Sequence, residues 1–234
     1  IQYWDALHGT DSWPNYFFNN HDTRRSSTRF AKGEDDTVPK LLAAMHLTLH
    51  GTPFLYYGEE IGMRDISLTR SQIQDPVGKH YWPFYKGRDG CRSPMQWSAA
   101  ANAGFTTGQP WLHLNKDYKV RNVANQAASQ ASLLTFYKQL IRLRRDHAAL
   151  NDGSLVLLDS QVADLLVYER AAEAEKMLVV LNFGKEIKTY PLPTGDYNKW
   201  ELLFAGNDAI TSHMTENLLH LPAFGFGILI SRSE

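Results

Sequence analysis

Cysteine is almost absent from the sequence: Cys91 is the single one in 234 residues. An intrachain disulfide framework is thereby excluded. With no general base evident beside it, the thiol reads as a packed side chain rather than a nucleophile. Long apolar runs are missing too, none approaching the roughly 20 residues that span a bilayer. Charge of one sign does not dominate: 24 Lys and Arg stand against 25 Asp and Glu, a formal net charge of −1, and the basic residues form no blocks. Neither a nucleic acid nor a membrane surface is therefore an expected partner. There is no initiator Met and no signal peptide; the start at "IQYWDALHG" gives the expectation of a piece from inside a longer protein. No internal repeat or low-complexity segment occurs.

What is present is globular. Apolar residues make up 43%, aromatic 12% and charged 21%, enough for one sizeable core or two smaller ones. Six Trp and eleven Tyr serve as core or, less often, as platforms on which sugars stack.

Two patterns divide the chain. In the first, "NYFFNN" (15–20) reads as a short strand bounded by turn residues. "DTVPKLLAAMHLTLHG" (36–51) then places Val38, Leu41, Leu42, Met45 and Leu49 at helical spacing. Asp36 or Thr37 suits the N-cap, Pro39 the first turn and Gly51 the stop. "PFLYYG" (53–58) follows as a second strand, and strand, helix, strand in that order predicts a crossover within a parallel sheet. Residues 59–128 are long and irregular, and their aromatic density marks functional loops rather than disorder. "SLLTFYKQLIRLRRDHAAL" (132–150) is an amphipathic helix with Leu133, Phe136, Tyr137, Leu140, Ile141 and Arg144 on one stripe. From about residue 152 the pattern changes to short runs: "SLVLL", "DLLVYER", "KMLVVLNF", "IKTYPL", "WELLF" and "FGFGILIS". With no helix between them, they predict an all-β sandwich. The expected domains are 1–151 and 152–234, with no Ser/Pro-rich linker between them.

In parallel α/β architectures, the carboxyl ends of strands and the loops after them build the active site. "YFFNNHDTRR" (16–25) puts Asn20, His21 and Asp22 on that rim. Glu59 and Glu60 stand there after the second strand. Taken alone, His21 and Asp22 are equally a satisfied polar pair behind a site. "GRDGCRSPMQW" (87–97) carries Arg88 and Arg92 four apart around Asp89. Forked guanidiniums suit hydroxyl pairs or carboxylates, although a loop held down by Arg–Asp pairs explains the same residues.

"NNHDTRR", "GTPFLYYGEEIGM" and "GRDGCRSPMQW", in this order, resemble the second half of an α-amylase-superfamily glycoside hydrolase of the α-glucosidase and oligo-1,6-glucosidase branch. "NAGF", "YKVRNVANQ" and "LIRLRRDHAAL" followed by Gly153 match the same pattern, so the resemblance covers nearly the whole chain. It implies an α/β fold: the C-terminal part of a (β/α)8 TIM barrel followed by an antiparallel β-sandwich. It also implies roles. Asp22 matches the third essential carboxylate, which stabilises the transition state by hydrogen bonding sugar hydroxyls, and His21 matches the adjacent histidine. Arg92 matches the residue that grips the non-reducing-end glucose, with Arg88 beside it, and Arg25 matches an arginine that supports the site's carboxylates; all three are expected to bind substrate. The family commonly has Gln-Pro-Arg after the Asp, whereas this chain has Thr23-Arg24-Arg25, a departure that bears on the acceptor side.

Retaining glycosidases use two carboxyl groups about 5 Å apart and pass through an oxocarbenium-like transition state. The superfamily's nucleophile, an Asp in Gly-x-Arg-x-Asp, and its general-acid Glu are both missing from the sequence. Glu59 and Glu60 lie in a different motif and take neither role. A whole barrel needs about 250 residues, yet some 150 precede the β module. The expectation is therefore a C-terminal fragment, from the sixth barrel helix onward, of a retaining exo-acting α-glucosidase, inactive alone. Its substrate is expected to be an α-linked gluco-oligosaccharide or disaccharide, with no cofactor, no metal in this portion and a cytoplasmic address. Alternatives are a fragment of a maltose- or sucrose-rearranging isomerase such as a trehalose synthase, a catalytically silent transporter-subunit relative, and a freestanding sugar-binding β module. The residues do not choose between α-1,4 and α-1,6 linkages.

Overall fold

A computed structural model describes residues 13–31, 35–172, 175–194, 200–206 and 212–232. The chain divides into two compact units: Ile1–Tyr16, Lys40–Pro53 and Gln139–Glu234 form one, Phe17–Pro39 and Phe54–Lys138 the other.

In chain order, β1 (Asn15–Tyr16) is followed by α1 (Ser26–Arg29), α2 (Thr37–Thr48) and β2 (Thr52–Pro53). β1 and β2 pair in parallel, Asn15 opposite Thr52 and Tyr16 opposite Pro53, so the crossover read from the pattern is present. The strands are two residues each, where six-residue runs were expected. Among the described residues no third strand pairs with either, and parallel ladders are held from both edges. Pro53 has no N–H to extend this one. The first N–H of α2 is met by Asp35, whose Oδ1 accepts from Thr37 N at 3.0 Å, rather than by Asp36 or Thr37. Asp36 is drawn instead to Arg121, 2.9 Å away. The helix stops at Thr48, three residues before Gly51, the expected stop; Gly51, φ +116°, is needed where it stands because a Cβ there would lie 2.3 Å from Pro14 O.

After α3 (Pro76–His80) and α4 (Val123–Ala127), α5 (Leu133–Asp146) and α6 (Ala148–Asn151) lead into the β module. On α5 the buried stripe is Leu133, Leu134, Phe136, Tyr137, Leu140 and Arg144. Ile141, assigned to it from spacing, is 46% exposed. His147 leaves helical geometry (φ −123°, ψ 114°), and this splits the single helix expected over 132–150.

Eight strands follow: β3 (Ser154–Leu158), β4 (Leu165–Ala172), β5 (Glu175–Asn182), β6 (Lys188–Pro191), β7 (Glu201–Ala205), β8 (His213–Thr215), β9 (Leu218–Leu221) and β10 (Phe226–Arg232). They form a five-stranded sheet, β3-β4-β5-β10-β7, and a three-stranded sheet, β6-β9-β8, with every pairing antiparallel. Val167, Leu178, Val180 and Leu229 of the first share one core with Tyr190, Leu219 and Leu221 of the second. That is the sandwich the pattern predicted, with two strands, β8 and β9, beyond the six runs.

The end of α2 is closed by two buried arginines without a carboxylate. Arg144 donates to Leu47 O, Leu49 O and Gly51 O at 2.6–2.9 Å. Arg170, on β4, donates to Thr48 O, Gly153 O and Ser154 O. Helix-end carbonyls carry partial negative charge, so guanidiniums satisfy both their hydrogen-bonding need and their field. Desolvation and then the neighbouring Arg144 charge push the Arg170 guanidinium down to about 10, which leaves it protonated at neutral pH.

The other unit is built of short turns around side-chain hydrogen bonds. Ile61, Met63, Met95 and Leu134 form its apolar centre. Arg121 donates to Ile61 O at 2.8 Å and Gln126 donates to the same carbonyl at 2.9 Å. Backbone groups without a ladder are satisfied in this way.

Candidate active site

The site is assembled from three loop segments of the second unit. Asn20 starts a tight turn: its Oδ1 accepts from Asp22 N at 2.8 Å, and its own N–H donates to Thr23 Oγ1 at 3.0 Å. The Asp22 side chain is left about half exposed. In the second segment, Asp75 caps α3, accepting from Val77 N at 3.2 Å with Pro76 in the first turn. The third segment lies on α3 through two glycines. A Cβ on Gly78 would fall 2.6 Å from Lys86 O, and one on Gly87 (φ +75°) would fall 2.9 Å from Asp75 Oδ2. Only glycines permit that approach, and it brings Arg88 against Asp75.

Arg88 bridges two carboxylates. Its backbone N and its Nε each donate to Asp75 Oδ2 at 2.9 Å, and Nη2 donates to Asp75 Oδ1 at 3.3 Å. Nη1 donates to Asp22 Oδ1 at 3.1 Å. Arg92 Nη2 donates to the same Asp22 oxygen at 2.9 Å, while its Nε donates to His21 O at 2.7 Å. Beneath them Asp89, fully buried, accepts from Gln74 N at 2.6 Å and Asp75 N at 2.8 Å. The remaining Asp22 oxygen, Oδ2, faces His21 Nε2 at 3.4 Å.

These contacts set the charges. At Asp22, desolvation pulls upward, but the Arg88 hydrogen bond, the neighbouring His21 and the charges beside it outweigh that pull. The carboxyl therefore sits below its ordinary value. Arg88 holds Asp75 lower still, at about 2. Both are ionised at neutral pH, so Asp22 is an acceptor that cannot serve as an acid. Cys91 is buried, with Sγ donating to Arg88 O at 3.0 Å, and desolvation pushes its thiol up.

Four of the five residues singled out in the sequence, Asp22, His21, Arg88 and Arg92, come together. Arg25 does not join them. It is 1% exposed, its backbone N donates to Asp65 Oδ1 at 2.9 Å and its Nη1 to Tyr57 O at 2.7 Å. The guanidinium lies 5.0 and 4.7 Å from the Tyr56 and Tyr57 ring centroids. Expected to bind substrate, it is instead enclosed; it holds the Tyr57 carbonyl, and its charge bears on Glu60. Glu59 is buried too, accepting from Tyr137 Oη at 3.3 Å. Asp75 and Asp65 carry no signal that the sequence offered as part of the site, and Asp89, read there as a partner of the arginines, accepts from backbone N–H groups instead. The Asp-Pro pair opening α3 signals a helix cap, but a cap signal does not say that the same carboxylate grips an arginine 13 residues on.

Beside Arg92 lies a cavity of about 460 Å³ lined by Tyr57, Glu60, Met95, Trp97, Phe105 and Trp111. Burial pushes the Glu60 carboxyl above its ordinary value. Among the described residues no three His, Cys, Asp or Glu converge to hold a metal ion. No helix among them is long and apolar enough to cross a membrane.

Residues 165–225 match the family described as the alpha-amylase SusG C-terminal domain. The chain is 33% identical over 217 residues, 92% of its length, to a protein named "Probable alpha-glucosidase" from Rhizobium meliloti (strain 1021). It is 34% identical over 222 residues, 86% of its length, to an oligo-1,6-glucosidase of Heyndrickxia coagulans. The solved structure of the trehalulose synthase MutB from Pseudomonas mesoacidophila MX-45 superposes with a TM-score of 0.84 at 31% identity, over 97% of this chain. The chain spans 38% and 39% of the two curated relatives and 45% of that structure's chain. The fold is that of these enzymes, a portion of a TIM barrel followed by a C-terminal β domain. Since residues 1–153 match the alpha-amylase catalytic domain, the chain belongs to the alpha-amylase family.

Proposed function

We propose that the chain is the C-terminal part of a retaining, exo-acting α-glucosidase that hydrolyses α-glucosidic bonds in oligosaccharides or disaccharides. Residues 1–151 would contribute the last part of the barrel and 152–234 the β domain. In this reading Asp22 binds sugar hydroxyls more tightly in the transition state than in the ground state. His21, Arg92 and Arg88 hold the ring, and Arg25 supports the floor.

One observation carries the reading: Arg88 and Arg92 both donate to Asp22 Oδ1. That oxygen is occupied by two guanidiniums, while Oδ2, with His21 Nε2 at 3.4 Å and on a side chain about half exposed, takes no guanidinium and can accept from a ligand's hydroxyls. Preorganised ionised acceptors of this kind act where charge and hydrogen-bond strength change along the reaction. The names of the relatives, alpha-glucosidase and oligo-1,6-glucosidase, support the reaction class. The nucleophile and acid motifs are absent from residues 1–234.

The test uses p-nitrophenyl α-D-glucoside. The chain alone should release no p-nitrophenol above buffer, and clear turnover by it would overturn the fragment reading. In the polypeptide encoded by the whole reading frame, Asp22→Asn should lower kcat about 10²-fold or more, the several kcal/mol such hydroxyl contacts supply. Likeness to a trehalulose synthase supports a second reading, a sugar-rearranging isomerase. Products from sucrose and maltose discriminate: free glucose marks hydrolysis, a rearranged disaccharide marks isomerisation.

A further inference from the structure

We infer that Asp75 is the positioning residue of the Asp22 site: by engaging three N–H groups of Arg88 in a fully buried carboxylate, it directs Nη1 onto Asp22 Oδ1 and keeps Oδ2, beside His21, clear of guanidiniums.

A guanidinium is planar and rigid. A carboxylate that takes its Nε and Nη2 edge fixes the plane, and with it the direction in which Nη1 points. Asp75 takes that edge at 2.9 and 3.3 Å, and also binds the Arg88 backbone N at 2.9 Å. Both ends of the arginine are thus referred to one anchor. Asp75 is itself fixed from two sides, by its cap bond to Val77 N and by Asp89, which accepts the N–H of Gln74 and of Asp75. The Asp75 side chain is 0% exposed, whereas that of Arg88 is about one-third exposed. The solvent-facing arginine would sample other rotamers without the anchor, since its side chain carries about 2 kcal/mol of rotamer entropy. Arg92 alone would then hold Asp22. Among the described residues, the charged groups facing Asp22 are His21, Arg88 and Arg92, and those at Asp75 are Arg88 on its carboxylate and Asp89 on its backbone N–H.

The inference rests on Asp22 being the sugar-binding carboxylate, but its test does not. The Asp22 carboxyl is titrated by NMR in the chain as it stands, without sugar. In Asp75→Asn, loss of the anchor should raise the Asp22 pKa toward the ordinary value near 3.9. A purely electrostatic Asp75 predicts the opposite sign, because removing a negative neighbour lowers it, and a merely structural one predicts no change. Asp75→Glu keeps the charge and moves the anchor, so it should raise the pKa as well. Arg88→Lys, at a partly exposed position, keeps the charge but lacks the edge that Asp75 grips. It should give the same rise, with no further rise in the Asp75→Asn/Arg88→Lys double variant. An unchanged or lowered Asp22 pKa in a natively folded Asp75 variant, or in Arg88→Lys if neither Asp75 variant folds, overturns the inference. A raised pKa, together with full activity of Asp22→Asn in the complete polypeptide, would sink the proposed function and leave the positioning role standing.

Discussion

At the scale of residues, the site depends on a few positions with no freedom. Gly87 combines a left-handed φ with a Cβ position 2.9 Å from both Asp75 Oδ2 and Gly78 Cα. Gly87→Ala should destabilise the protein by about 1–3 kcal/mol through backbone strain and the displaced Asp75, read as a lowered urea midpoint. Asp22, His21, Arg88 and Arg92 were singled out through the resemblance of three ordered motifs, since taken alone each motif read equally as a structural polar cluster. Arg25 stood in the same motif, but residue order does not reveal which side chain of a loop turns inward. Asp75 was hidden for a related reason. Its local signal describes a helix cap, and its connection to Asp22 passes through Arg88, which is distant in sequence from both.

At the scale of elements, periodicity located α5 but not where along its length the cover ends. Leu133, Tyr137, Leu140 and Arg144 keep three- and four-residue spacing, whereas Leu134 and Ile141, seven apart and so on one side of the helix, differ: the first is buried and the second exposed. Leu140→Ala should therefore cost about 2–5 kcal/mol, and Ile141→Ala should stay within about 0.5 kcal/mol, both measured by chemical denaturation. The end of α2 offers a second check. Arg170→Met leaves Thr48 O, Gly153 O and Ser154 O without their donor, and should cost about 3 kcal/mol or more. Strands β8 and β9 escaped the sequence reading because they are three and four residues long and mix polar with apolar side chains. β1 and β2 were placed correctly but drawn too long, since apolar character continues past Pro53 where the pairing does not.

At the scale of the whole molecule, the order of patterns was the most legible feature: a crossover with a parallel pair, a long irregular stretch, then antiparallel strands. The stretch between them was legible only as loops, because its order comes from side chains such as Arg121 and Gln126 reaching backbone carbonyls, and no periodicity records such contacts. Stability should respond to acid in a defined window. The Asp75 pKa is about 2 in the folded protein and near 4 in an unfolded chain, so its stabilising contribution is present above pH 4 and is lost as pH falls from 4 to 2. The loss should be about 2 kcal/mol, measurable as the difference between urea unfolding at pH 5 and at pH 2.5. Asp75→Asn should flatten that dependence.

The guanidinium closure at the end of α2 hydrogen-bonds to no group that titrates in that window. Every partner named for Arg144 and Arg170 is a backbone carbonyl, a group that neither gains nor loses a proton in dilute acid. The two compact units should therefore differ in their response to acid. The unit holding Asp75 should loosen first, while the one that closes on carbonyls keeps its β-sheet circular dichroism. Tryptophan fluorescence, to which Trp82, Trp97 and Trp111 contribute from the first of these and Trp13 and Trp200 from the second, should then change in two steps on acid titration, the earlier one without loss of far-ultraviolet dichroism.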